Sequence, residues 1–372
     1  RTKLCRMDVQ WSEGKGRYLV AQTDVLAGTL LLREFPLVVS SPRAASQQWQ
    51  RLASLHEESP LPMDPEWYLA ASATIAAAKL DNELAIAVMD KFRPDVEAAR
   101  ATCGSEVDTL RAMEVLGMHG FVSLDDFVAT LAIVRFNGFR SPSEDHAIAL
   151  YREACLMSHS CCPSAEFDFE DSDCIIVRAL KDIRQGEEVC ISYLPAFALA
   201  QSTEMRRLKL ESQLFECRCT RCLWPVDLCR GFCCAAPGCP GICYLPGDTS
   251  CSEDRSPSAS LPCSRCARML VGHEFEAVLQ LEAQYGFVVE YGTMHQDFNT
   301  ARGLATEAAT VFRQHWIMSA ILKAVETHCL RCCETAAAER CRAELLEMQT
   351  AIIQPWPWLA NMSSRQKCTV ES

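Results

Sequence analysis

Short apolar runs punctuated by glycine and proline open the chain. Arg17-Tyr18-Leu19-Val20-Ala21 and Thr29-Leu30-Leu31-Leu32-Arg33 are separated by a turn at Ala27-Gly28, and Leu37-Val38-Val39 follows Pro36. Runs of this length between turn residues predict strands. From Ser41 to about Leu131 the chain becomes rich in alanine. Tyr68 through Ala78 and Glu83 through Met89 are good helix formers, and Asp64-Pro65 marks a helix start. Strand character returns at Ile133-Val134-Arg135-Phe136, at Cys174-Ile175-Ile176-Val177 and, past the Gln185-Gly186 turn, at Val189-Cys190-Ile191-Ser192-Tyr193. Thr203 to Leu214 reads as a helix. Gly, Ser, Pro, Asp and Glu dominate Leu245 to Pro262, which predicts a solvated loop. Helical patterning resumes from Gly272 to about Gln354, and a polar stretch ends the sequence.

Composition narrows the class. With 372 residues, 49% hydrophobic and 23% charged, the chain is an ordinary globular sequence long enough for two or three domains. Thirty-six basic against 48 acidic residues leave a net charge of −12, so phosphate backbones are repelled and basic peptides are the easier partners. No apolar run reaches the roughly 18 residues of a membrane-spanning helix. No secretory leader is expected behind Arg1-Thr2-Lys3-Leu4.

The cysteines change the picture most. Of 23, 11 fall between Cys217 and Cys266. A chain of this size does not need disulfide staples, so the cluster points to a reducing compartment, cytoplasm or nucleus or both, and to bound metal. Cys217-Arg218-Cys219-Thr220-Arg221-Cys222 has the form C-x-C-x2-C, three thiolates on one turn, and a distant residue must complete a tetrahedral zinc site. Cys234 and Cys239 with Cys263 and Cys266 form a second four-cysteine set, in which adjacent Cys233 is an alternative to Cys234. Cys229, Cys243 and Cys251 are expected to be simple core thiols.

Five motifs then bring a family into view. In order they are Gly14-Lys15-Gly16-Arg17, Asn137-Gly138-Phe139, Leu150-Tyr151 through Ser158-His159-Ser160-Cys161-Cys162-Pro163, Gly186-Glu187-Glu188-Val189-Cys190-Ile191-Ser192-Tyr193, and Phe215-Glu216-Cys217-Arg218-Cys219-Thr220-Arg221-Cys222. This series resembles SET-domain lysine methyltransferases of the SMYD branch over roughly residues 1 to 222. One cysteine in the helical stretch cannot build the zinc-binding MYND finger that the branch usually carries. The resemblance implies an α+β fold: SET-type knotted small β-sheets with a helical insert, a Cys-rich zinc-binding post-SET region and a helical C-terminal domain. It divides the chain into an N-terminal SET half (1–41), the insert (42–131), a C-terminal SET half with the catalytic motifs (132–211) and a post-SET zinc segment (212–228). A second zinc ribbon (229–271), a helical domain (272–360) and a flexible tail (361–372) follow.

The implied activity is methyl transfer from S-adenosylmethionine to a lysine of a protein or peptide, by a monomer that binds neither nucleic acid nor membrane. In that reading Tyr193 is the channel tyrosine that aligns the amine, and Phe139 is an aromatic wall of the channel. Gly14, Lys15, Gly16, Asn137, Ser158, His159, Tyr193 and Phe215 hold the cofactor. Cys161 completes the zinc site of Cys217, Cys219 and Cys222, so two structural zinc ions are expected. Ser158 and Ser164 depart from the pattern, standing where the family carries asparagine. Losing one good hydrogen bond costs about 0.5–1.5 kcal/mol, which weakens cofactor binding without abolishing it. The competing reading is a non-catalytic SET scaffold that presents its helical half to partners.

Overall fold

The run at 17–21 forms the second arm of a hairpin. Strands β1 (Met7–Ser12) and β2 (Gly16–Ala21) pair antiparallel, with Ser12 opposite Gly16. The computed structural model describes residues 7–13, 15–89, 101, 103–170, 173–247 and 260–353. Gly14, Cys251, most of the 245–262 loop and the 361–372 tail lie outside the described residues. The chain divides into two units, Arg1–Tyr193 and Leu194–Ser372.

The first unit is built on small sheets. Strands β3 (Leu30–Glu34), β4 (Val38–Ser40), β5 (Gly138–Arg140), β6 (Ile148–Leu150), β7 (Ser158–His159), β8 (Ala165–Glu170), β9 (Cys174–Ala179) and β10 (Cys190–Ile191) follow in chain order. Two antiparallel three-stranded sheets have the orders β3-β9-β8 and β4-β6-β5, and β7 pairs parallel with β10. Bridges Val20–Glu188 and Val25–Ile183 tie the hairpin to the segment before β10. Leu19, Leu31, Tyr151, Ile175, Val177 and Ile191 fill one core.

Between β4 and β5 lie helices α1 (Ser46–Glu58), α2 (Pro65–Leu80), α3 (Asn82–Met89), α4 (Glu106–Val115) and α5 (Leu124–Asn137), packed around Leu52, Tyr68, Phe127 and Leu131. Pro65 opens α2, where its missing N–H has no helical partner to lose. The strand expected at Ile133–Phe136 is the last turn of α5. Ser123 Oγ accepts from Asp126 N at 3.1 Å and starts this helix, with Asp125 and Asp126 in its first turn. Phe127, Val128, Leu131, Ala132, Ile133 and Val134 are all buried. A helix buried on all sides shows the same continuous apolar run as a buried strand. Gly138 marks the switch to β5, since a Cβ there would lie 2.5 Å from the Val134 carbonyl oxygen.

The second unit begins with two short helices, α6 (Ala196–Leu199) and α7 (Thr203–Leu210). Its sheet has the order β12-β11-β13, from β11 (Val226–Cys233), β12 (Ile242–Pro246) and β13 (Phe312–His315). Helices α8 (Gly272–Tyr291), α9 (Phe298–Ala308), α10 (Trp316–Arg331) and α11 (Thr335–Ile353) complete it. The helical pattern from 272 hides β13, which exists because Phe312 pairs with Phe232 and His315 with Arg230, about eighty residues away in sequence. No helix among the described residues is long and apolar enough to cross a membrane.

Candidate active site and metal centres

Parallel pairing of β7 with β10 brings Ser158-His159 beside Cys190-Ile191. Three bonds extend it: Ser160 N donates to Ile191 O at 2.9 Å, Ser164 N to Cys190 O at 3.0 Å, and Cys190 N to Ser164 Oγ at 2.9 Å. The Ser164 hydroxyl also lies 3.2 Å from the Glu188 carbonyl oxygen, its acceptor. Serine at this position therefore still ties the 158–164 segment to β10.

Tyr193 follows immediately and is held at two points. Its backbone N–H donates to His159 Nδ1 at 2.9 Å, and its hydroxyl donates to the Met157 carbonyl oxygen at 2.8 Å. Because Nδ1 is an acceptor, the imidazole proton sits on Nε2, which faces Cys161 Sγ at 3.3 Å. The tyrosine residue remains 41% exposed. Burial of its hydroxyl end, with Cys155 and Cys190 near it, pushes the phenol above its ordinary value, so the group stays a neutral donor.

The remaining predicted residues occupy distinct settings. Gly14 lies outside the described residues. Lys15 forms an ion pair with Glu188 and sits 5.1 Å from the Tyr18 ring centroid. Gly16 has φ +76°, and nothing lies within 4 Å of where its Cβ would be, so this turn is open and favours glycine. Asn137 is buried at the end of α5, and its amide donates to Ile133 O at 2.8 Å. Phe139 packs edge-on against Tyr151 and Phe167, at 5.5 and 5.2 Å between centroids. Phe215, in the second unit, follows Leu214, whose φ is +59°, and is partly exposed. His159 and Tyr193 are thus joined directly, Ser158 pairs with Cys190 of β10, and Lys15 pairs with Glu188. Sequence reasoning missed the Met157 carbonyl because a backbone acceptor leaves no residue-type signal.

The cysteines gather into two sets. Sulfurs of Cys161, Cys217, Cys219 and Cys222 lie within 4.8 Å of one another, and so do those of Cys234, Cys239, Cys263 and Cys266. In the second set Cys234–Cys266 and Cys239–Cys263 are 3.5 and 3.8 Å apart. Four sulfurs about 2.3 Å from one centre are spaced in this way, so both sets fit tetrahedral zinc. Backbone N–H groups of Ala236, Gly241 and Arg265 point at Cys234, Cys239 and Cys263 at 3.4, 3.4 and 3.5 Å. Cys233 is not in this set; its thiol faces the Ala309 carbonyl. Arg206, fully buried, donates towards Cys222 Sγ at 3.6 Å, and Arg207 to the Cys217 carbonyl at 3.2 Å. A guanidinium offsets thiolate charge where water cannot. Cys229 and Cys243 are buried core thiols.

A SET-domain family profile matches residues 16–194. Protein-lysine N-trimethyltransferase SMYD5 of Gallus gallus is 40% identical over 80 residues, which are 21% of this chain and 19% of that protein. N-lysine methyltransferase SMYD2 of Homo sapiens is 36% identical over 107 residues, 28% of this chain and 24% of that protein. The matched segments therefore span about a fifth to a quarter of these relatives. Among solved structures, Rubisco LSMT bound to AdoMet aligns over 93% of this chain and 89% of its own, at 13% identity and a TM-score of 0.36. The profile and the observed small sheets agree that residues 16–194 form a SET domain, and over part of its length the chain is similar to lysine methyltransferases of the SMYD type.

Proposed function

We propose that this chain is an S-adenosylmethionine-dependent protein-lysine N-methyltransferase. Its substrate is a lysine-bearing protein or peptide, and it works as a monomer in the cytoplasm, the nucleus or both, without binding nucleic acid or membrane. The observation that carries this reading is the double anchoring of Tyr193, by N–H to His159 and by hydroxyl to Met157, inside a SET domain.

S-adenosylmethionine, when bound, supplies an electrophilic sulfonium methyl. The open turn at Gly16, with its positive φ, fits close approach of backbone to such a group. Gly14, Lys15, Gly16, Asn137, Ser158 and His159 are the proposed holders, with Phe215 as the ring offered to adenine. The attacking lysine, with a free pKa of about 10.4, must be neutral, and an apolar entrance lined by Phe139 favours that form. Tyr193 aligns the amine, because its phenol remains protonated and its ring is fixed at both ends. Orientation of this kind supplies much of the rate in a transfer between two held reactants. Zinc takes no part in the chemistry; it fixes the segments that carry Cys161 and Cys217.

Calorimetry of the zinc-loaded chain with S-adenosylmethionine tests the reading, together with methyl transfer to lysine peptide arrays. Binding is expected, and Tyr193→Phe should retain cofactor affinity while losing most of the transfer. Absence of binding at millimolar cofactor would leave the non-catalytic scaffold as the correct reading.

A further inference from the structure

Glu34 ends β3 on the strand pair with β9, where it lies opposite Ile175. Its half-buried carboxylate accepts three consecutive backbone N–H groups. Arg152 N reaches Oε1 at 2.5 Å, Glu153 N lies 3.1 Å from both oxygens, and Ala154 N reaches Oε2 at 3.0 Å. Those groups open the 3-10 turn Ala154–Leu156. Bonds from N–H to an ionised carboxylate are roughly twice as strong as neutral ones, so this is a firm clamp on the turn.

What the clamp holds gives it meaning. Immediately past the turn comes buried Met157, whose carbonyl takes the Tyr193 hydroxyl, and two residues further is His159, whose Nδ1 takes the Tyr193 N–H. Both anchors of the tyrosine thus hang from one short segment. Its upstream end is fixed by the buried Tyr151, whose hydroxyl donates to Asp173 O at 2.6 Å, and the N–H groups of residues 152–154 are held by Glu34. We infer that Glu34 is a positioning residue for Tyr193: it touches no reacting group, but sets where the Met157 carbonyl stands and hence where the phenol points. This inference rests on the proposed methyl transfer for its kinetic consequence, though not for its structural one.

Glu34→Gln keeps size but loses charge and one acceptor oxygen, while Glu34→Asp keeps charge on a shorter stem. In the full zinc-loaded chain, amide exchange of residues 152–158 should rise about tenfold or more in Glu34→Gln, and the NMR signal of ring-labelled Tyr193 should move. Arg33→Gln, one residue before Glu34, loses the pair with Glu170 and the contact with the Phe35 ring but not the clamp, and should do neither. With an active wild type, kcat should fall about tenfold while KM and cofactor affinity change little, and Glu34→Asp should recover part of it. Unchanged exchange or an unmoved Tyr193 signal would overturn the inference, as would equal losses in Arg33→Gln. Should the wild type methylate nothing, the methyltransferase reading fails by itself, and the exchange and ring signals still decide the role of Glu34.

Discussion

The backbone N–H of Tyr193 and the thiol of Cys161 share one imidazole: His159 accepts the first at Nδ1, 2.9 Å away, and faces the second with Nε2 at 3.3 Å. A single tautomer serves both contacts. The residue that places the tyrosine backbone is therefore also the neighbour of a metal-ligating sulfur.

Replacing His159 with alanine should cost about 1 kcal/mol of stability, because the Tyr193 N–H loses its acceptor in a partly buried setting. Asparagine, whose side-chain oxygen can stand in for Nδ1, should recover part of the loss. Chemical denaturation of the two variants measures the difference.

Elemental analysis of the folded chain should find two zinc ions. Cys222→Ala and Cys263→Ala should each remove one, and Cys233→Ala should remove none, since its thiol stands outside both sets. If the first site fixes the segments used by the cofactor, Cys222→Ala should also weaken S-adenosylmethionine binding, whereas Cys263→Ala should not.

Acid should destabilise the second unit through Glu282. Burial pushes this carboxyl up, but His315 and Arg230 outweigh it and hold it down at about 2. The Arg230 fork meets its two oxygens at 2.9 and 2.6 Å, and Trp316 Nε1 donates to it at 3.1 Å. Burial lowers the His315 value against the opposing pull of Glu282, and Arg230 is the cation that meets both carboxylate oxygens. A carboxyl held below its unfolded value stabilises the fold above that value, and the contribution disappears as pH falls from about 4.5 towards 2, amounting to as much as about 3 kcal/mol. Urea midpoints at pH 5 and pH 3 should differ in the wild type and differ less in Glu282→Gln.

Ser123→Ala should destabilise α5 by about 1 kcal/mol, since Ser123 Oγ caps the Asp126 N–H. As α5 ends at Asn137, the variant should also soften the start of β5. Thermal unfolding reads the first effect, and amide exchange at 138–140 reads the second.

Much of the molecule is legible in residue order. Turn residues bracket β2 and β3, Asp64-Pro65 announces α2, and the spacing of Cys217, Cys219 and Cys222 declares a metal turn before any coordinate is known. Ile133–Phe136 misleads because β-branched residues buried on every side of a helix carry no period. Strand β13 is invisible because its four residues owe their conformation to distant β11.

Sequence by itself determined which residue types are available: the motifs, the cysteine spacings, and the tyrosine at the end of the Gly-Glu-Glu segment. These follow from local chemistry and spacing, which a linear chain displays. Tertiary structure alone decided that Cys234 and not Cys233 joins its set, that Ser164 still bonds to β10, and that Glu34 clamps a turn more than a hundred residues away. Each of those depends on a direction in space or on a backbone atom. Neither the aim of a side chain nor the position of a carbonyl is written in residue identity.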